Sequence, residues 1–313
     1  MDTSTFLDKV RDIIQLPPSD EDWTDTRILL EGTQALYDRF TQPIQVLRSG
    51  YWLHRTSITL TQGQSFYSMP PRAIVQGLEK IELSTDQGVT WYPLNILTDF
   101  ETFDYVNSTQ LGQPQWFSLE ANGVTLYPTP SSGFVLRMSY YLRPSQLMAA
   151  NAGGVIMTIN ATSFIVAGDP TGMLTTIPGV MDIVNTGGCA EVAVPDFAFT
   201  AITALGANLW RIDFASGTDV SRVAIGMVVR PSDQSDQLPL PQEMHNALVS
   251  WVGAVILAEK GDLEKAAVFS GKAENIISRV VDMATPRIKT RPYVFKTRNT
   301  YLRRRLGNGY GWR

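Results

Sequence analysis

Residues 51–70 read YWLHRTSITLTQGQSFYSMP, and the change of period inside this stretch decides the fold. Polar and apolar side chains alternate from His54 to Thr61, which predicts a strand with one buried face. Gln62-Gly63-Gln64 reads as a turn, and Ser65 to Met69 as a second strand ended by Pro70-Pro71. Upstream the period is helical. Phe6, Val10, Ile13 and Ile14 make one apolar stripe, stopped by Pro17-Pro18. Ser19-Asp20-Glu21-Asp22 offers capping oxygens to a second helix carrying Trp23, Arg27, Leu30, Gln34 and Tyr37, which Pro43 should kink or end.

Downstream, period-two pairing continues. Leu78 to Leu83, Val89 to Leu94, Gln115 to Leu119, Val124 to Tyr127 and Phe134 to Leu142 predict one sheet of six or seven short antiparallel strands. A short helix is expected over Thr98 to Tyr105. Residues 148 to about 230 are rich in Gly, Ala, Thr and Val and nearly free of Lys, and read as a second all-β unit, with a helix as the alternative for Ile202 to Leu209. Helix returns after Pro241. Met244, Leu248, Trp251, Val252, Val255 and Ile256 form a broad apolar face; Gly261 ends that helix and Asp262 caps the next.

These segments predict an α+β fold: a helical bundle built from the N- and C-terminal helices, inserted antiparallel β-sheet domains, and an extended C-terminal arm. The expected units are 1–50 (first helices), 51–147 (inserted β domain), 148–232 (extra β insertion), 233–284 (C-terminal helical hairpin) and 285–313 (basic arm). The turn-rich ends of the insertion further predict a separable unit on the outside of any assembly.

The 313 residues hold 26 basic and 30 acidic side chains, one cysteine and two histidines. A lone cysteine excludes a disulfide framework and a multi-cysteine zinc site. The N-terminus lacks the pattern of a signal peptide and no run reaches 18 apolar residues, so a soluble protein made in a cytosol, with no membrane partner, is expected. From Met283 onward there are nine basic residues and no acidic one, leaving 17 basic against 30 acidic in the rest, a net of −13 there. An acidic body with a basic arm points to an arm that docks on something negative. Aromatic residues interleave with the charges, as anchors for pockets would. The candidate docking residues are Arg287, Lys289, Arg291, Tyr293, Phe295, Lys296, Arg298, Tyr301, Arg303, Arg304 and Arg305.

No catalytic pattern stands out: there is no GxSxG, Walker loop, HExxH or GxGxxG after a strand. Cys189, His54 and His245 read as structural, and Asp99, Glu101 and Asp104 as charges that satisfy a helix dipole. No enzyme, cofactor or metal is expected.

The order of several phrases resembles the head-to-tail adaptor (connector) proteins of tailed bacteriophages. They are Trp23-Thr24-Asp25 with the helix to Phe40, Gly63 to Pro70, Gly112 to Phe117, Gly123 to Pro130, Ser139 to Pro144, Leu238 to His245, and the basic residues from Arg287. The resemblance spans 1–147 and 233–313 and leaves 148–232 unmatched. It implies a non-enzymatic virion protein at the head–tail junction, assembled in the host bacterial cytoplasm. It implies a homo-oligomeric ring of twelve that joins the portal protein to a tail nozzle or tail-tube protein. Genomic DNA would pass through its channel without sequence-specific binding. An acidic channel wall would suit that passage, because it does not hold a polyanion. The alternative reading is a phage β-rich binding module making receptor or capsid-decoration contacts.

Overall fold

Helix α1, Thr3–Ile14, starts on Asp2, whose carboxylate accepts the Thr5 N–H at 2.9 Å, and stops at Gln15 in the left-handed region. Helix α2, Asp25–Ala35, is capped by the Thr24 hydroxyl, which accepts from the Arg27 N–H. The expected cap at 19–22 is therefore displaced: Asp20 instead accepts the Asp22 and Trp23 N–H groups and shapes the preceding turn. Pro43 does not end the helical run. A π-helical turn, Leu36–Phe40, widens the backbone just ahead of α3, Thr41–Val46, and the Thr41 hydroxyl donates to the Leu36 carbonyl at 3.2 Å. A wider turn ahead of a proline suits a ring that has no N–H to donate. Near the C-terminus, α4 is His245–Glu259 and α5 is Leu263–Ala284, linked through Gly261 (φ +85°) and the Asp262 cap on Lys265.

This computed structural model describes all residues except 19, 47–50, 71, 98–109, 121, 150–152, 172–173, 175, 187–190 and 285–313. The expected helix from Thr98, with Asp99, Glu101 and Asp104, lies outside the described residues, as does Cys189.

Phe6, Val10, Ile28, Leu36, Phe40, Leu248, Val252 and Ile256 from α1, α2, the π turn and α4 are buried together. These helices are only one layer of the molecule. Strands take 37% of the described residues and helices 29%. The expected helical bundle carrying inserted sheets is overturned: the protein is mostly β-sheet. The reason is that, among the described residues, strands build two of the three hydrophobic cores, and the seven-stranded sheet alone is larger than any helical element.

The 51–147 region is not one antiparallel sheet but two four-stranded ones and a two-stranded parallel pair, Leu111–Gly112 with Thr129–Pro130. The first runs in the order Leu53–Thr59, Val135–Leu142, Ala73–Ser84, Tyr92–Pro93. The second runs Phe66–Ser68, Gly123–Tyr127, Trp116–Glu120, Asn95–Ile96, and its last pair is parallel. Between them lie Leu60, Ile81, Leu83, Phe117, Leu126, Leu136 and Met138. One sheet could not bury both sets of alternating apolar residues; two facing sheets can.

Residues 148–232 form the seven-stranded antiparallel sheet, in the order Glu191–Phe199, Gly179–Asn185, Val228–Pro231, Val155–Ile159, Ser163–Ala167, Leu209–Asp213, Ala201–Gly206. Its two edge strands are separated in sequence by Thr200 alone, so the sheet rolls round its core toward a barrel. Inside, the rings of Phe164, Phe197 and Phe214 stand 4.6–5.2 Å apart. Ala201–Gly206 settles the 202–209 ambiguity as strand.

The chain leaves for this unit after Gln146–Leu147 and returns at Gln234–Ser235, and these two short strands pair in parallel. The Leu147 N–H donates to the Thr33 hydroxyl of α2 at 2.9 Å. A Cβ on Gly32 would meet the Leu147 side chain at 3.0 Å, so glycine permits this close approach of neck and helix. The returning segment then runs beside the N-terminus, through Thr3 N–H to Asp236 and Leu238 N–H to Met1.

Candidate interaction site

All eleven arm residues, from Arg287 to Arg305, lie outside the described residues. The groups that the described residues do bring together sit at the joint between the sheet sandwich and the seven-stranded unit, and sequence reasoning missed them.

Arg72, at the start of the Ala73–Ser84 strand, is the centre of the joint. Its Nη1 donates to both oxygens of Asp182, at 2.6 and 2.9 Å, and its Nη2 to the Ser145 hydroxyl at 2.9 Å. Its Nε lies 3.2 Å from Asp233 Oδ1, and Arg143 holds the other Asp233 oxygen at 2.6 Å. The backbone N–H groups of Asp196 and Asp233 also donate to Asp182. Burial holds the Asp182 carboxyl above its ordinary value, and Arg72 and the Asp196 N–H only partly pull it back. Val184 and Val192 of the seven-stranded unit pack in the same core as Tyr140 and Leu142 of the sandwich, so the unit does not stand clear of its neighbour. A second buried pair, Arg230 with Asp236, is bidentate at 2.6 Å on each arm.

Beside this joint opens a cleft of about 580 Å³. One wall is His54–Ser57 on the edge strand of the first sheet. The other is Ala193–Pro195 on the edge strand of the seven-stranded sheet, and Asp219 and Arg222 form the rim. His54 is only 3% exposed, and its Nε2 has no hydrogen-bond partner. Burial lowers its pKa to about 4, helped by the positive charges of Arg222 and Arg72. Arg137 is already committed, paired with Glu82 at 2.6 Å and stacked 4.0 Å over Trp91. Arg55 and Arg222 have no carboxylate within ion-pair distance among the described residues. Asp219 accepts from the Ser221 N–H of its own turn.

His245, the other histidine, is buried at the start of α4 with its Nε2 3.0 Å from the Leu240 carbonyl, in accord with a structural role. The outer face of α5 carries a shallow groove lined by Ala267, Val268, Gly271, Lys272 and Arg279, and Val268 is 68% exposed. Among the described residues no group of three or more acidic, histidine or cysteine side chains is placed to hold a metal ion. No described helix is long and apolar enough to cross a membrane.

The described residues thus bring together a helical layer, a sheet sandwich and a joint built of buried ion pairs. A family model described as SU10 adaptor protein matches residues 1–167. That is more than half of the chain, and the chain belongs to this family of phage head-to-tail adaptors, structural components of the virion. The match covers the sandwich and the first two strands of the seven-stranded unit; the C-terminal phrases from Leu238 onward lie beyond it. No curated protein matches the chain.

Proposed function

We propose that this chain is the subunit of a non-enzymatic head-to-tail adaptor ring that joins the portal to the tail nozzle or tail tube. Twelve copies surround a channel through which genomic DNA passes without sequence-specific contacts, and assembly takes place in the bacterial cytoplasm. The family match over residues 1–167 carries this reading. The charge division supports it: an acidic body suits a conduit for a polyanion, and a basic arm suits docking on an acidic or pocketed protein surface. In this reading residues 1–50 and 233–284 supply the helical layer, 51–147 and 148–232 the two β units, and 285–313 the docking arm. Arg287, Lys289, Arg291, Lys296, Arg298 and Arg303–Arg305 provide charge, and Tyr293, Phe295 and Tyr301 anchor in pockets.

The test is to mix purified portal rings with the full chain and with a chain ending at residue 284, and to image the products. The full chain adds a twelvefold ring below the portal; the truncated chain stays in solution. A truncated chain that assembles normally refutes the docking role of the arm, and a full chain that ignores the portal refutes the adaptor reading. A second reading is favoured by Met157, Leu205 and Ile225, each about half exposed or more on the seven-stranded unit: that unit makes the receptor or capsid contact of a binding module. Retention of the chain on host cells rather than portals distinguishes it.

A further inference from the structure

We propose that the cleft between the Leu53–Thr59 and Glu191–Phe199 strands binds an extended acidic segment of a protein partner, with carboxylates on Arg55 and Arg222 and backbone paired to the open Leu53–Thr59 edge. Two observations meet here independently. The first is topological. Leu53–Thr59 ends one sheet and Glu191–Phe199 ends another, and the same cleft is lined by residues of both. Each edge strand is hydrogen-bonded to one neighbour, Val135–Leu142 in the first case and Gly179–Asn185 in the second. An open edge offers a row of backbone donors and acceptors that a peptide strand satisfies and a nucleic acid does not.

The second observation is electrostatic. Arg55 and Arg222 flank the cleft, and among the described residues neither guanidinium makes an ion pair, although the Arg222 charge also reaches Asp219 on the rim; their planar forks suit carboxylates. The buried His54, with a ring nitrogen left without a partner, also lines it. A buried polar atom with no hydrogen bond is costly, and a ligand group reaching into the cleft would relieve it. The chain's own basic arm has the wrong sign for this place; the proposed occupant is an acidic segment of another protein.

The experiment uses the full chain and labelled hexaglutamate at low salt, with the His54 imidazole followed by NMR. Saturable binding is expected, with an upward shift of the His54 titration midpoint and at least a tenfold loss of affinity in the surface double variant Arg55→Glu/Arg222→Glu. That variant keeps the basic arm intact, so any residual binding reports the arm. Binding with no movement of the His54 signal, or a His54 shift undiminished in the double variant, overturns the proposal. Equal occupancy by citrate at matched carboxylate concentration shows an ion site without strand pairing and overturns it as well. So does duplex DNA that moves the His54 signal through the same arginines where hexaglutamate does not.

Discussion

Arg72 Nη1 stands 2.6 Å from Asp182 Oδ2, and the two side chains, from different β units, are 5% and 0% exposed. Removing one partner of such a pair leaves a charge buried and uncompensated, at a cost of about 3–5 kcal/mol. Arg72→Met should therefore lower unfolding free energy by roughly that amount in urea titrations. Arg72→Met/Asp182→Asn should recover part of the loss, since the amide oxygen still accepts from Asp196 N–H. A single variant as stable as the parent would show that the pair holds nothing together.

Replacing residues 148–232 by a short Gly-Ser linker removes Asp182, Val184 and Val192 together while leaving Arg72 and Asp233 in place. The shortened chain should be less stable than the parent, and adding Arg72→Leu should restore some of that stability. If thermal melting of the shortened chain matches the parent, the joint contributes nothing to the sandwich.

His54 gives a pH signature. Its folded pKa of about 4 lies below the ordinary value of 6.5, first because of burial and then because of Arg222 and Arg72. Between those values the unfolded chain binds a proton that the folded chain does not. Stability therefore falls as pH drops from 6.5 toward 4, by up to about 3 kcal/mol from this group. Urea midpoints at pH 7.5 and 4.5 should differ less in His54→Phe than in the parent; equal pH slopes would refute the assignment.

Gly153 packs against the guanidinium of Arg230, and a Cβ there would overlap Nη1 and crowd the Val229 carbonyl. Gly153→Ala should displace Arg230 from Asp236 and cost about 3–5 kcal/mol, as losing a buried pair does. An alanine variant that melts within a degree of the parent would mean that Arg230 finds another place.

Much of the local structure was legible in the residues. The α1 stripe, the Gly261 break with its Asp262 cap, and the strands at 53–59 and 135–142 all follow from period and turn chemistry. The balance of the fold was not, because a strand's alternation does not say which of two facing sheets it joins. The joint was hidden for a related reason. Arg72 and Asp182 are 110 residues apart, and each alone reads as a surface charge in a loop or strand. The cleft depends on two edge strands meeting, a property of topology that no sequence window contains. A signal was nonetheless present: Arg222 lies in a stretch nearly free of basic residues.

The helical layer also sets an order of events during synthesis. Helix α1 and the turn before α2 rest on α4, and Asp20 meets Lys260 at a separation of 240 residues. At about 5–20 residues per second, a ribosome needs on the order of 12–50 s to supply that partner. For that interval Phe6, Val10 and Ile28 have no α4 to cover them, while the sandwich between is already complete in sequence. The nascent chain thus presents an apolar N-terminal face until His245–Glu259 has emerged, so its first helix is the last of these elements to find its cover.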